Sequence, residues 1–229
     1  MGSETDPDPV KEQAVLDYQR LYEYRFREID QSARAEVWSR IAPFIWRKMG
    51  SPEVILDPAA GRREFLLSIP ATERWAVDEV EYDEAGEDDG ITQVTASIME
   101  AQLPQDHFEG IFVSNFLEHL PSQEGIFEFL IRMRDAMKPG GSIAVLGPNY
   151  RYASKDYWDC ADHYVALTDG AVAEHLYTAG FEPEVRIPKF LPYSFRGRLP
   201  ASPALTDLYL RTPPLWKVLG KQFLVIGRT

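Results

Sequence analysis

Histidine is the side chain best suited to accept a proton near neutral pH, and this sequence contains four of them. Two stand directly after an acidic residue: His119 follows Glu118, and His163 follows Asp162. A carboxylate beside an imidazole can hold the ring in the orientation that a general base requires. We therefore predict His163, oriented by Asp162 or Asp159, as a catalytic base, and His119 as a second catalytic candidate. A structural role in a loop is the alternative for both histidines.

An aromatic segment near residues 148–167 surrounds His163 and is the candidate substrate-binding region. Flat apolar rings next to polar groups suit a sugar ring or an aromatic aglycone. Long loops at the strand ends of an α/β sheet usually carry substrate contacts. The predicted substrate residues are Asn149, Arg151, Tyr157, Trp158 and Asp159. About half of the rings in this segment are expected to be loop core instead.

A short apolar run followed by small residues lies upstream of both histidines. Val54–Asp57 predicts a buried strand, Ala59, Ala60 and Gly61 predict a tight turn, and a helical pattern begins after the turn. Small side chains let a ligand approach the backbone, and the first turn of a helix offers N–H groups and a positive dipole. This arrangement holds a nucleotide-like ligand at the carboxyl edge of an α/β sheet, where Asp57 can hold ribose or amine groups.

Strand and helix patterns alternate along the chain. This alternation positions the histidines and the turn at 59–61 at one edge of the predicted sheet. The predicted strands are Val54–Asp57, Trp75–Asp78, Gln93–Thr95, Gly110–Ser114, Ser142–Leu146, Glu184–Ile187 and Phe223–Ile226. Such alternation predicts a parallel sheet with helices on both faces, and the last two strands are interpreted as a closing hairpin. Two helical patterns in 11–50 precede the first strand and predict an N-terminal cap, whereas residues 1–10 are predicted to be disordered.

Composition and charge limit the classes of partner. The 229 residues carry a formal net charge of −12, which argues against duplex nucleic acid as the main partner. The charge is uneven, because acids crowd residues 78–89 and basic residues predominate after Pro188. A single cysteine excludes an internal disulfide, and no apolar run has the length of a membrane span. These features predict a cytoplasmic protein with no membrane partner.

The chain resembles the class I S-adenosylmethionine-dependent methyltransferases. The resemblance is carried by Asp57–Gly61, Asp78, Ser114–His119 and Lys138–Gly141. A closer resemblance, to a bacterial subgroup of polysaccharide and glycosylated natural-product pathways, is carried by Ser114–Leu120, Pro148–Tyr152, Tyr157–His163 and Phe190–Tyr193. The resemblance implies an α/β, Rossmann-like domain over 51–229, with a mostly parallel seven-stranded sheet, an antiparallel last strand, helices on both faces and an N-terminal helical cap.

The resemblance also implies S-adenosyl-L-methionine as the cofactor. The first motif of the family normally reads Asp-x-Gly-x-Gly-x-Gly, and here Ala59, Gly61 and Arg63 occupy the glycine positions. The implied cofactor-binding residues are Asp57, Ala59, Ala60, Gly61, Asp78, Ser97, Asn115 and Phe116. In this assignment Asp78 accepts both ribose hydroxyls, and Ser97 stands where the family often has an aspartate near the adenine. A decayed site that binds the cofactor without catalysis is an alternative.

The subgroup implies O-methylation of a sugar or a glycosylated small molecule, for which a general base or a metal activates the hydroxyl. An N- or carboxyl-methyltransferase, which needs little base assistance, is the alternative within enzymes. Some methyltransferases carry Glu-x-x-Glu-His and a later histidine as a metal site. Here Asn115 replaces the first glutamate, which leaves Glu118, His119 and His163, so we predict no metal. We expect a small-molecule substrate, and a homodimer stays open.

Overall fold

The protein is described by a computed structural model, which defines residues 17–27, 30–80, 89–193 and 202–229. The predicted disorder of residues 1–10 lies outside the described residues, as does most of the acidic run after Asp78.

A seven-stranded sheet forms the centre of the molecule. Its strands are β1 (Val54–Asp57), β2 (Glu73–Asp78), β3 (Ile91–Thr95), β4 (Phe108–Ser114), β5 (Met137–Pro148), β6 (Glu182–Ile187) and β7 (Gln222–Arg228). The strand order is β3-β2-β1-β4-β5-β7-β6, and only β7 runs antiparallel to its neighbours. The predicted seven-stranded sheet with an antiparallel last strand is therefore confirmed.

The strand order reverses between β1 and β4, which places a switch point at the middle of the sheet. Register pairs Asp57 with Ala76 and Ser114 with Leu146, so the carboxyl ends of β1, β2, β4 and β5 lie along one edge. Ligands of open α/β sheets bind outside this edge, next to the switch point. The residues after β1, β2 and β4 are thus neighbours in space.

Helices cover both faces of the sheet. They are α1 (Tyr18–Phe26), α2 (Gln31–Lys48), α3 (Glu64–Leu67), α4 (Gln123–Ala136), α5 (Tyr150–Tyr157), α6 (Asp169–Thr178), α7 (Pro203–Leu210) and α8 (Pro213–Leu219). Helices α4 and α6 share one buried apolar cluster with the sheet, and α2, α3, α7 and α8 share the other. No helix among the described residues is long and apolar enough to cross a membrane.

Alternating side chains of β4 connect the two apolar clusters. Ile111 and Val113 face the α4 side, whereas Phe112 faces the other side and stacks on Phe65 of α3 with ring centroids 3.8 Å apart. Because β4 is buried on both faces, it forms a rigid base for the residues that follow it.

Two parts of the chain differ from the sequence prediction. The aromatic segment contains helix α5, which Asn149 caps by accepting the N–H of Arg151 through its side chain. Helices α7 and α8 separate β6 from β7, so these neighbouring strands are not joined by a tight hairpin.

Candidate active site

The turn after β1 has a backbone that leaves open space. Gly61 and Arg63 both adopt left-handed conformations, with φ values of 50° and 62°. A Cβ placed on Gly61 would meet nothing within 4 Å, so the space above this residue is free for a ligand. Arg63 occupies a position where the family has glycine, and its side chain turns to Asp89, 3.1 Å away. This ion pair partly offsets the cost of left-handed backbone at a non-glycine residue.

Asp78, at the end of β2, holds the turn in place. Its carboxylate accepts the backbone N–H of Gly61 at 2.7 Å and that of Val80 at 2.9 Å. Burial raises the pKa of Asp78, and these two hydrogen bonds oppose the shift. A carboxylate has about four acceptor sites, so capacity remains for the hydroxyl groups of a ligand.

Asp57, at the end of β1, is a buried acid without a described cationic partner. It is 3% exposed, and among the described residues the only donor to its carboxylate is the N–H of Ala59, at 3.3 Å. Burial, with a smaller contribution from the charge of Asp78, raises the pKa of Asp57 to about 8. Ionised carboxylates are rarely buried without a compensating charge. The position therefore suits a ligand that brings its own positive group.

The other predicted cofactor residues lie at the ends of β3 and β4, apart from Ala60. Ala60 is buried in the first turn and donates its N–H to Val77. Asn115 is exposed and has a φ of 48°, a strained backbone that asparagine tolerates better than most residues. Phe116 packs on Phe129 with ring centroids 5.1 Å apart, so its ring also belongs to the core. Ser97 is partly buried directly beyond β3.

A second polar group follows β4, where a single 3₁₀ turn spans Leu117–His119. The backbone oxygen of Glu118 accepts the N–H of Tyr164 at 2.9 Å, which holds the aromatic segment against this turn. His119 Nδ1 lies 2.9 Å from the backbone oxygen of Asp162 and 3.2 Å from its carboxylate. Because a carbonyl oxygen only accepts, Nδ1 must carry the proton. The Nε2 atom of neutral His119 is then the basic one.

Asp162 therefore pairs with His119 and not with His163, which corrects the predicted orientation. Asp162 is fully buried and also accepts a hydrogen bond from Arg25 of α1. Burial would raise the pKa of Asp162, but His119 and Arg25 hold it well below its usual range. Burial would lower the pKa of His119, but Asp162 and the charge of Glu118 raise it.

His163 lies beside this pair as a neutral ring. Its centroid is 4.8 Å from that of His119 and 4.6 Å from that of Tyr157. Burial, with the charge of His119, lowers the pKa of His163 to about 4. Its Nδ1 atom is buried and has no hydrogen-bond partner among the described residues.

Three side chains of this group have the chemistry of metal ligands. Glu118, His119 and His163 each offer one donor atom, and the three atoms lie within 4.8 Å of one another. Burial raises the pKa of Glu118, which is 2% exposed. Carboxylate and imidazole together suit a divalent transition metal, so these residues fit such an ion.

The predicted substrate residues divide into buried and exposed ones. Asn149 and Tyr157 are fully buried. The Asn149 side chain donates to Asp169 and to the backbone of Pro188, and the Tyr157 hydroxyl donates to Val165. Both side chains stabilise the segment and neither is exposed, so their role as substrate contacts stays a prediction. Arg151, Trp158 and Asp159 are exposed and stay candidates.

Arg25 is not among the catalytic residues predicted from the sequence. This residue reaches Asp162 from α1 across 137 positions of sequence, so no local pattern could reveal the contact. The cap also approaches the site through Tyr18, which lies near Tyr164 and near Glu79, the residue after β2. Helix α1 thus lies across the carboxyl edge of the sheet, although none of its described residues is buried.

Comparison with solved structures identifies the fold. A SAM-dependent methyltransferase from Archaeoglobus fulgidus matches with a TM-score of 0.61 and 20% identity, over 93% of this chain and 100% of that chain. The Burkholderia thailandensis 1,6-didemethyltoxoflavin-N1-methyltransferase, solved with its substrate and S-adenosylhomocysteine, matches with a TM-score of 0.58 and 20% identity, over 96% and 93%. The [4+2]-cyclase SpnF matches with a TM-score of 0.58 and 15% identity, over 83% and 80%.

No protein-family model and no curated protein matches the sequence significantly. At these identities the structural matches establish architecture and leave the reaction open, as a cyclase among them illustrates. By strand order, by the direction of β7 and by these matches, the chain has the Rossmann-like fold of class I S-adenosylmethionine-dependent methyltransferases.

Proposed function

We propose that this protein is an S-adenosyl-L-methionine-dependent methyltransferase that methylates a hydroxyl group of a small molecule. The observation that carries the proposal is the open turn at Gly61, which lies between the buried carboxyl group of Asp57 and the partly buried one of Asp78 at the carboxyl edge of the sheet. A sugar or a glycosylated natural product is the acceptor class that the sequence resemblance favours.

The residues present fit the cofactor. Asp78 would accept the ribose hydroxyls, and Asp57 would face the positively charged ammonium group of the methionine part. The backbone of Ala59–Gly61 would approach the same part, because no Cβ fills the space above Gly61. Ser97 and Asn115 would line the adenine end. When bound, the cofactor supplies a methyl group that its sulfonium charge has already activated.

His119 is the proposed general base. Its Nε2 atom would take the proton of the acceptor hydroxyl, and the Asp162 carboxylate, 3.2 Å from Nδ1, would stabilise the resulting imidazolium. A positioned base of this kind contributes about 10²–10⁴-fold to rate. His163, kept neutral by its burial, would form part of the wall beside the base.

Three exposed residues of the aromatic segment are the proposed acceptor contacts. Trp158 offers a flat ring for a sugar face, and Arg151 and Asp159 offer hydrogen bonds to hydroxyl groups.

The test is release of S-adenosylhomocysteine from the full chain with a panel of hydroxyl, amine and carboxylic acid acceptors. Turnover with a hydroxyl acceptor that falls strongly in His119→Gln supports the proposal. Turnover restricted to amines or carboxylates, and insensitive to this substitution, would favour the alternative acceptor class. Cofactor binding without turnover on any acceptor would favour a non-catalytic protein.

A metal-assisted form of the same reaction is the second candidate, favoured by the three donor atoms of Glu118, His119 and His163. A divalent ion there would polarise the acceptor hydroxyl and would take His119 Nε2 as a ligand. Activity that is lost on chelation and restored by one divalent metal would support this form. Activity unchanged after chelation and verified metal removal would leave His119 as the base.

A further inference from the structure

Helices α7 and α8 present an apolar surface to solvent, which we call the α7–α8 face. It consists of Leu205, Leu208, Leu215, Val218 and Leu219, and Val218 is 74% exposed. The spacing of three and four residues places these side chains together on the outer side of each helix. Both helices pack inward through other side chains, Leu210 and Trp216.

Two exposed basic residues, Arg211 and Lys217, lie on these helices in a chain whose overall charge is strongly negative. The one acid on the two helices, Asp207, lies 3.9 Å from Arg40, and the nearby Lys221 pairs with Asp156 at 2.7 Å. Lys189 adds a further positive charge here, because its Nζ donates to the backbone oxygen of Lys217. The same Nζ lies 5.1 Å from the ring of Tyr152, which joins exposed aromatic surface of α5 to the α7–α8 face.

The C-terminal end of helix α8 lies at the same edge of the sheet as the candidate active site. Helix α8 is followed by β7, whose first residue, Gln222, pairs with Pro148 at the carboxyl end of β5. Asp78 and Asp89 lie at the end of β2 and just before β3, at the other side of the sheet.

The charge around the α7–α8 face favours a lipid surface over a second copy of this chain as its partner. In a two-fold dimer through the face, the lysine and arginine residues of both copies would approach one another, which is unfavourable. Aliphatic side chains that protrude between basic residues instead match an anionic lipid surface, where apolar groups enter the headgroup boundary and basic groups meet phosphates.

We propose that the α7–α8 face docks on the surface of an anionic lipid bilayer. Leu208 and Val218 enter the headgroup region, and Lys217 and Arg211 pair with lipid phosphates. This peripheral contact revises the expectation of no membrane partner. Docking on the bilayer does not depend on the proposed reaction, although it places the carboxyl edge of the sheet, at the end of α8, near the lipid.

Vesicle co-sedimentation of the full chain tests the proposal, with phosphatidylcholine alone compared with an equimolar phosphatidylcholine–phosphatidylglycerol mixture. We expect binding about tenfold stronger to the anionic vesicles, weakened by salt. The double variant Leu208→Glu/Val218→Glu should bind at least about tenfold less, and Lys217→Glu about fivefold less. Leu67→Glu is the matched control, since Leu67 is an exposed leucine on α3, and it should bind as the unaltered chain does.

Thermal melting of each variant shows whether it folds. If the double variant does not fold, Lys217→Glu alone tests the proposal. Three results would overturn the proposal: no binding to either vesicle, equal binding to both, or binding that Lys217→Glu and Val218→Glu leave unchanged. A dimer in solution that Val218→Glu converts to a monomer, without vesicle binding, would assign the face to a second copy and also overturn it.

Discussion

The two halves of the candidate site are built in different ways. The cofactor half consists of a turn and two strand ends, and its contacts are mostly to backbone atoms, as when Asp78 accepts the N–H of Gly61. The acceptor half consists of side chains that meet from distant segments, as when Asp162 joins Arg25 to His119. Loss of one side chain should therefore affect the two halves differently, and four substitutions examine that difference.

The largest effect is expected from Gly61→Arg, which fills the open space above the turn. It should abolish binding of S-adenosyl-L-methionine in calorimetry while the protein still melts cooperatively, because no protein atom lies within 4 Å of the new Cβ. Gly140→Arg is the matched control: Gly140 also has a positive φ, of 79°, and open space, but it lies near the amino end of β5. Retained cofactor binding in Gly61→Arg would mean that the site is misplaced.

His119→Gln should lower kcat by about 10²–10⁴-fold and leave the cofactor Kd nearly unchanged, because the base acts on the acceptor alone. His163→Gln should lower kcat much less, since His163 is the neutral neighbour of the pair. The two variants are compared by steady-state kinetics on the same acceptor. A larger loss in His163→Gln would return the role of base to His163.

Arg25→Met removes the cation that α1 contributes to buried Asp162. We expect kcat to fall about tenfold, because the Asp162 carboxylate beside His119 loses a charge-assisted hydrogen bond worth about 1.5–3 kcal/mol. The cofactor Kd should stay within about twofold. Arg25→Lys, which keeps the charge, should recover part of the loss, and a purely structural effect would instead lower the melting temperature without such recovery.

The last effect concerns the stability of the cofactor half and not its kinetics. Asp57 stays protonated in the folded protein up to a pH of about 8, but in the unfolded chain it ionises at the ordinary carboxyl pKa. The unfolded chain therefore binds fewer protons, and stability falls by up to about 1.4 kcal/mol per pH unit as pH rises towards 8. Asparagine does not titrate, so Asp57→Asn should remove this loss of stability at high pH.

The melting temperature of Asp57→Asn relative to the unaltered protein should thus be higher at pH 8 than at pH 5, while cofactor affinity falls. Asp106→Asn, at an exposed turn, is the control and should show no such trend. If the difference between Asp57→Asn and the unaltered protein does not change with pH, Asp57 is not a neutral buried acid.

The same contrast explains how much the sequence could predict. The strand, turn and helix of the proposed cofactor half were accessible because Asp57–Gly61 are consecutive residues. The pairing in the acceptor half was not accessible, because His119 and Asp162 are 43 positions apart and adjacency in sequence favoured His163 instead. The burial of Asn149 and Tyr157 was likewise not accessible from the sequence.

The strands and their alternation were predicted well, whereas three short helices were missed. Helices α7 and α8 contain only eight and seven residues, too few for a clear hydrophobic period. Each nevertheless begins at a proline, Pro203 or Pro213, which is a known signal of a helix start. In α5 the aromatic content masked the signal given by its cap, Asn149.

Calorimetric titration of the unaltered full chain with S-adenosyl-L-methionine tests the central claim most directly. The account predicts saturable binding of one cofactor per chain, which S-adenosylhomocysteine competes for and Gly61→Arg eliminates. Absence of binding heat at millimolar cofactor over a range of temperatures would contradict the claim that the turn between Asp57 and Asp78 is a cofactor site.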